Sequence, residues 1–319
     1  MNRNETGKFP AMVFANEAAP PARPIAAELD PPFEVLEPER LACPLVFSSP
    51  HSGHAYPVDF LASTRLDPLT LRRSEDAYVD LLFRGVLDFG APLIHALFPR
   101  AYLDLNREPY ELDPRMFEGR LPAFANTRSV RVAGGLGTIP RVVGESCEIY
   151  ARRLPVGAAI SRIEALYKPY HRALRGLLQR ALAGWRCAVL VDCHSMPSTC
   201  MSGERSAERV RADIIIGDRY GTSCHPAIVD VLEIALTRRG YVVQRNNPYA
   251  GGFITEHYGN PSVGTHAVQI EINRGLYLDE KTLEQRSEAA ALAADLTCVL
   301  GDVAELVRGG LPAQRAAAE

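Results

Sequence analysis

Short, β-branched apolar runs alternate along the chain with longer stretches of helical period. The strand-like runs start at Cys43 (CPLVFSSP), Pro92 (PLIHALF), Cys187 (CAVLVDCHS), Ala212 (ADIIIGD), Tyr241 (YVVQRNN) and His266 (HAVQIEINR). Helical patterning covers about residues 67–89, 145–183, 223–239 and 279–307. In the last of these Asp279 is placed to cap the start, and Gly309 lies just past the end. Several strands are apolar on both faces, which requires helices on each side of the sheet. The pattern predicts a three-layer α/β/α sandwich with a mostly parallel or mixed sheet. Such sheets bind ligands outside the carboxyl ends of their strands, so the informative polar residues are those where an apolar run stops.

The two ends carry no such period. Residues 1–32, rich in Ala, Pro and Glu, predict an extended or partly disordered arm, and residues 311–319 a flexible tail. Neither repeat nor linker interrupts residues 33–310, which predicts one α/β domain there. At 319 residues, 47% hydrophobic and 23% charged, the chain can bury a sizeable core. A net charge of -3 gives no electrostatic reason to expect nucleic acid or an anionic membrane as partner. No apolar run approaches the ~18 residues of a membrane span. The N-terminus lacks the apolar stretch of a secretory signal, and the seven cysteines are scattered without a C-x-x-C pair. Both features predict a reduced, cytoplasmic protein with buried thiols.

Two histidines stand where apolar runs stop: His51 after LVFSSP, and His194 at the close of VLVDCHS. Neutral imidazole is a preferred zinc ligand, and catalytic zinc takes three protein ligands plus an open position. Alternation turns Asp192 and His194 to one face and Cys193 to the other, which places Cys193 in the core and weakens a cysteine-hydrolase reading. For a third ligand, RRSEDAYVDLLF offers Glu75, Asp76 and Asp80 at the start of a helix with the apolar stripe Val79, Leu82, Phe83 and Val86. Spacing does not choose between Glu75 and Asp76, and favourable acidic placement near a helix N-terminus explains both equally well. His54 is a further candidate in the same turn as His51.

Glu271 sits inside the apolar run HAVQIEIN, opposite the face made by Val268, Ile270 and Ile272. A charge there is costly unless paired or employed. It reads either as a general base toward water at a metal centre or as the ion-pair partner of Arg274. Arginines suit carboxylate substrates because the guanidinium binds them bidentately. Arg107 (beside Asn106 in YLDLNREPY), Arg141 after LGTIP, and Arg274 at the end of the Glu271 run are the candidates. The Gly-, Asn- and Pro-rich stretch NPYAGGFITEHYGNP reads as a long connection of the kind that forms binding loops.

Taken in order, SSPHSG, SEDAYVDLLF, YLDLNREPYELDP, GLGTIPR, YKPYH, VDCHSMPS, NNPYAGGFITEHYG and QIEINRGLY resemble the N-formylglutamate amidohydrolase (deformylase) family. The resemblance spans about residues 45–280 and implies a fold similar to zinc-dependent exopeptidases of the carboxypeptidase and aspartoacylase type. In that group a histidine, an acidic residue and a later histidine hold Zn2+, and a glutamate near the end of the fold activates water. Carried over, His51 and His194 match the two histidines and Glu271 the base. Asp76 matches the acidic ligand, although departure from the close histidine–glutamate spacing of carboxypeptidase leaves Glu75 open. LNRE looks like the Asn-Arg pair that holds a substrate carboxylate, which points to Asn106 and Arg107. A second arginine, Arg141 or Arg274, is then the candidate for a side-chain carboxylate. The implied reaction is hydrolysis of N-formyl-L-glutamate to formate and L-glutamate, as in one route of histidine breakdown. Hydrolysis of another N-acyl amino acid or small peptide, or silent binding of an acidic metabolite, are the alternatives.

Overall fold

All six apolar runs become strands of one sheet, and a short strand precedes them. The computed structural model describes residues 29–144, 147–199 and 212–312. Its sheet strands are β1 (Phe33–Leu36), β2 (Leu45–Ser49), β3 (Leu93–Ala96), β4 (Ala188–Met196), β5 (Ile214–Gly217), β6 (Val243–Arg245) and β7 (Thr265–Asn273). They lie in the order β1-β3-β2-β4-β7-β5-β6. β3, β2, β4 and β7 are mutually parallel, β1 is antiparallel to β3, and the parallel pair β5–β6 runs against β7. The sheet is therefore mixed.

Its two central strands, β4 and β7, are buried along their whole length. On one face Val189, Val191, Cys193, Val268, Ile270 and Ile272 pack into a core shared with α2 (Pro226–Arg238) and α4 (Ala289–Arg308). The opposite face presents Leu190 and Ala267 to a core containing Leu174, Leu177 and Leu178 of α1 (Lys168–Trp185) and Ile254 of α3 (Phe253–Tyr258). Each buried side chain of this size contributes roughly 1.5–3 kcal/mol of transfer free energy, so the two layers hold the sheet rigidly between them. Helices thus cover both faces, giving three layers. The period of two then has a functional consequence. Past Leu190 and Ala267, the same face of β4 and β7 carries Asp192, His194, Gln269 and Glu271, so it turns from apolar to polar at the carboxyl ends.

Several elements differ from the sequence pattern. Residues 67–89 are not one helix but Pro68–Arg72, Val79–Leu82 and a 3-10 segment Arg84–Phe89, broken by Tyr78 in the left-handed region (φ 64°). The run expected over 145–183 begins as helix only at Val156, after the short strands Cys147–Glu148 and Leu154–Pro155. α4 starts at Ala289; Asp279 instead closes a turn, accepting from the N–H groups of Lys281 and Thr282. Gly309 does end α4. Of the arm expected over 1–32, residues 1–28 lie outside the described residues, while Leu29 is buried in the core. Of the tail, residues 313–319 lie outside them. Among the described residues no helix is long and apolar enough to cross a membrane, and the six cysteines present there are free thiols. Cys193 is wholly buried, as its strand position requires.

Candidate active site

β2 stops at Ser49 and the chain turns at once through His51. Gly53 permits this turn, because a side chain at that position would meet the Phe98 carbonyl oxygen at 2.3 Å. Asp76 arrives from the break between helices Pro68–Arg72 and Val79–Leu82, and its backbone N–H donates to the His51 carbonyl at 3.0 Å. His194 is carried by the carboxyl end of β4, and the parallel register sets Glu271 of β7 directly opposite it. Four chain segments therefore bring four ionisable groups to one end of the sheet.

The donor atoms converge. His51 Nδ1 lies 3.3 Å and His194 Nδ1 3.0 Å from the same oxygen, Asp76 Oδ2. All three residues are buried, and one donor atom from each falls within 4.8 Å of the others. Their remaining polar atoms are held from behind: His51 Nε2 lies 2.7 Å from Asp104 Oδ1, and His194 Nε2 lies 2.9 Å from Asp192 Oδ2. Arg274 Nη2 donates to Asp76 Oδ1 at 3.0 Å. A carboxylate behind each imidazole selects the tautomer that leaves Nδ1 as a lone-pair donor. Two imidazole nitrogens and one carboxylate oxygen are a donor set suited to zinc, so the residues present fit the ion. Glu75 takes no part. It accepts from Tyr56 Oη at 2.7 Å and from Arg72 Nε at 3.2 Å, which turns it away from the histidines. His54 is exposed.

Electrostatics tie the cluster together. Burial alone would raise the Asp76 carboxyl, but hydrogen bonds and charge from His194 and His51 outweigh it and hold the pKa well below the ordinary range. Burial would likewise lower His194, yet the carboxylates of Asp192, Asp76 and Glu271 hold it well above the usual imidazole value. Asp104 is held low against its own burial by Arg100, Arg107 and His51. The raised histidine and the lowered aspartates are two sides of the same pairings, each group favouring the charged form of its partner. Glu271 behaves differently: burial raises its carboxyl to about 7, with Asp76 adding to the rise against His194, Arg100 and Arg274. Gln269 Nε2 donates to Glu271 Oε1 at 2.9 Å, and Gln269 Oε1 accepts from the Gly252 N–H at 2.8 Å. Gln269 thus joins the base candidate to the Gly-rich loop. That loop passes so near Asn106 that a Cβ on Gly252 would lie 2.4 Å from its Nδ2.

The cluster opens into a cavity of about 520 Å³ lined by His51, Asp76, His194 and Glu271 together with Arg73, Arg100, Asp104, Asn106, Arg107, Arg131, Gln269 and Arg274. Asn106 is engaged on both sides of its amide, accepting from the Ile254 N–H at 2.7 Å and donating to Asp192 Oδ2 at 3.2 Å. Arg107 donates to the carbonyls of Leu136 (2.8 Å) and Asn106 (2.6 Å) and lies 3.5 Å from Asp104. Arg274 is committed through all three nitrogens, to Asp76, to the Arg73 carbonyl at 3.0 Å and to Ser195 Oγ at 3.2 Å. It partners Asp76 rather than Glu271, so the ion pair considered between Arg274 and Glu271 is not formed. Arg141 does not line this cavity. It pairs with Asp113 at 3.0 Å and Glu148 at 3.2 Å in a separate surface depression, because Pro140 and Val142 face the cavity and the side chain between them points away. Sequence reasoning passed over Asp104, Arg100, Gln269 and Arg131. Asp104 and Gln269 had a signal, each lying two positions before a candidate; Arg100 and Arg131 had none.

The chain and its fold have counterparts among known proteins. A profile of the N-formylglutamate amidohydrolase family matches residues 43–278. The chain is 28% identical over 240 residues to an N-formylglutamate deformylase of Pseudomonas putida, covering 74% of this chain and 82% of that one. It is 28% identical over 260 residues to an N-formylglutamate deformylase of Pseudomonas aeruginosa, covering 78% and 87%. The crystal structure of an N-formylglutamate amidohydrolase from Ralstonia eutropha superposes with a TM-score of 0.83 at 38% identity, covering 88% of this chain and 99% of the other. The gene product Atu2144 of Agrobacterium tumefaciens shares the fold, with a TM-score of 0.56 at 19% identity over 86% of this chain and 95% of its own. The chain belongs to the N-formylglutamate amidohydrolase family.

Proposed function

We propose that this chain is a zinc-dependent amidohydrolase that cleaves the amide bond of N-formyl-L-glutamate, releasing formate and L-glutamate. The observation that carries this reading is the buried convergence of His51 Nδ1, Asp76 Oδ2 and His194 Nδ1 beside a separate carboxylate, Glu271, in one cavity. The names of the Pseudomonas relatives and the excess of arginine along the cavity support an acidic N-formyl amino acid as substrate.

His51, Asp76 and His194 would hold the metal. When bound, zinc supplies Lewis acidity, polarising an acyl carbonyl and making water easier to deprotonate. Asp104 and Asp192 fix the two imidazoles from behind, and Arg274 fixes Asp76. Glu271 takes the proton of water as its oxygen adds to the acyl carbon, then delivers that proton to the departing amine nitrogen. Gln269 orients Glu271 through the bond to Oε1. Arg107 offers its remaining N–H groups to the α-carboxylate, with Asn106 bracing the wall beside it.

The test is release of formate and glutamate by purified protein, followed before chelation, after chelation and after zinc is restored. Activity that falls and returns supports the reading. Absence of release from N-formylglutamate at every zinc loading contradicts it.

A further inference from the structure

Five arginines line the cavity, Arg73, Arg100, Arg107, Arg131 and Arg274, against three carboxylates, Asp76, Asp104 and Glu271. Two of the five, Arg100 and Arg274, are spent on carboxylates, and a third, Arg107, is assigned to the α-carboxylate above. Arg100 donates to Asp104 Oδ2 at 2.8 Å, Arg107 lies 3.5 Å from the same oxygen, and Arg274 is bound on all three nitrogens. Arg131 has no ion pair among the described residues, and its guanidinium makes one long hydrogen bond there, from Nη1 to the Asn106 carbonyl at 3.5 Å. Arg73 also lacks an ion pair among them, but it is exposed, whereas Arg131 is half-buried.

The backbone beneath Arg131 is well fixed. The helical turn Val130–Ala133 is capped by Ser129, whose Oγ accepts from the Val132 N–H at 3.1 Å, and the Arg131 carbonyl accepts from the Leu136 N–H at 2.8 Å. The same segment supplies Leu136, Pro140, Val142 and Val143 to the cavity lining. A guanidinium with most of its five N–H groups unspent, on a rigid turn in a cavity wall, is prepared for a planar anion. Its neighbourhood favours one as well: burial lowers Arg107 to about 10, and the charges of Arg100 and Arg131 push in the same direction. Neither Arg141, which lies outside the cavity, nor Arg274, which is spent on Asp76, is available for a second substrate carboxylate.

We propose that Arg131 binds the side-chain carboxylate of the substrate and is the residue by which the site prefers an acidic over a neutral N-acyl amino acid. This rests on the amidohydrolase reading above, and adds a residue that sets specificity within it. N-formylglutamate and N-formylglutamine are nearly equal in size and differ in the one charge that Arg131 would read.

The experiment measures kcat/KM for both substrates in wild type, Arg131→Gln, Arg131→Lys and Arg73→Gln, with zinc content and Tm on the same samples. Wild type should favour N-formylglutamate. Arg131→Gln should lose about 10–100-fold toward N-formylglutamate and only a few-fold toward N-formylglutamine, at unchanged zinc content. Arg131→Lys should fall between, because it keeps the charge and loses the fork. Equal losses on both substrates, no loss on either, or selectivity that collapses in Arg73→Gln instead would each overturn the Arg131 assignment and leave the hydrolase reading standing. A zinc-loaded wild type inert toward both substrates would overturn the two together.

Discussion

Glu271 faces His194 across neighbouring parallel strands, one residue directly opposite the other in the register of β7 and β4. The pairing fixes a carboxylate beside a metal-ligand candidate without any loop intervening, so their separation is set by the sheet. Glu271 is buried and, among the described residues, makes no ion pair. Arg274, the cation nearest in sequence, is drawn to Asp76.

If Glu271 is the base, Glu271→Gln should fold, keep its zinc and lose on the order of 10²–10⁴ in kcat. Burial raises this carboxyl to about 7 in the metal-free chain, and a bound cation pulls it down from there. Because the ionised form is the active one, kcat/KM should rise with pH along an acid limb lying below about 7, and Glu271→Gln should lose that limb. A destabilised but fully active variant would contradict the assignment; kcat, Tm and zinc content on one preparation decide it.

Asp104 holds the far nitrogen of His51 at 2.7 Å. Asp104→Asn should weaken zinc affinity by about 10–100-fold while leaving the three ligands in place. Competition with a chromogenic chelator measures this directly. Unaltered affinity would show that the imidazole is oriented by other means.

Arg107→Lys should reduce kcat/KM for N-formylglutamate by about 10–100-fold, since lysine replaces a fork with a point charge. Zinc content should not change. An unaltered kcat/KM would place the α-carboxylate elsewhere in the cavity.

His171 gives a prediction about stability. Its Nε2 lies 2.9 Å from the Leu105 carbonyl oxygen, its Nδ1 lies 2.9 Å from Tyr258 Oη, and burial lowers its pKa to about 4. The unfolded chain takes up this proton first as pH falls. The contribution is therefore complete above ~6.5 and is lost between there and about 4, amounting to roughly 3 kcal/mol. The stability gap between wild type and His171→Phe should narrow as pH is lowered from 7 to 4.5. A gap constant over that interval in urea titrations would contradict the account.

Much of this was legible in the sequence because both central strands state their own geometry. In VLVDCHS and HAVQIEIN a period of two separates Cys193 and Ile270 from His194 and Glu271, and the polar face could be read directly. β1 was not legible: its four residues follow a Pro-rich stretch and form an antiparallel edge whose pairing partner lies 60 residues on. The helix expected around Asp76 failed for a related reason. Val79, Leu82, Phe83 and Val86 have helical spacing, but left-handed Tyr78 places Asp76 in a turn before them. There the carboxylate reaches His51 and His194, which no periodicity encodes. The choice between Glu75 and Asp76 likewise needed side-chain partners, Tyr56 for one and the histidines for the other. Arg131 escaped notice because an arginine without a carboxylate is recognisable only once its neighbours are known.

The most direct test of the central claim is metal stoichiometry set beside activity. Wild type, His51→Ala, Asp76→Ala and His194→Ala should be prepared with excess zinc, dialysed, and analysed for bound metal and for formate release from N-formylglutamate. One zinc per chain with full activity in wild type, and joint loss of zinc and turnover in all three variants, is the predicted result. Full turnover by wild type shown by elemental analysis to be free of metal would contradict it.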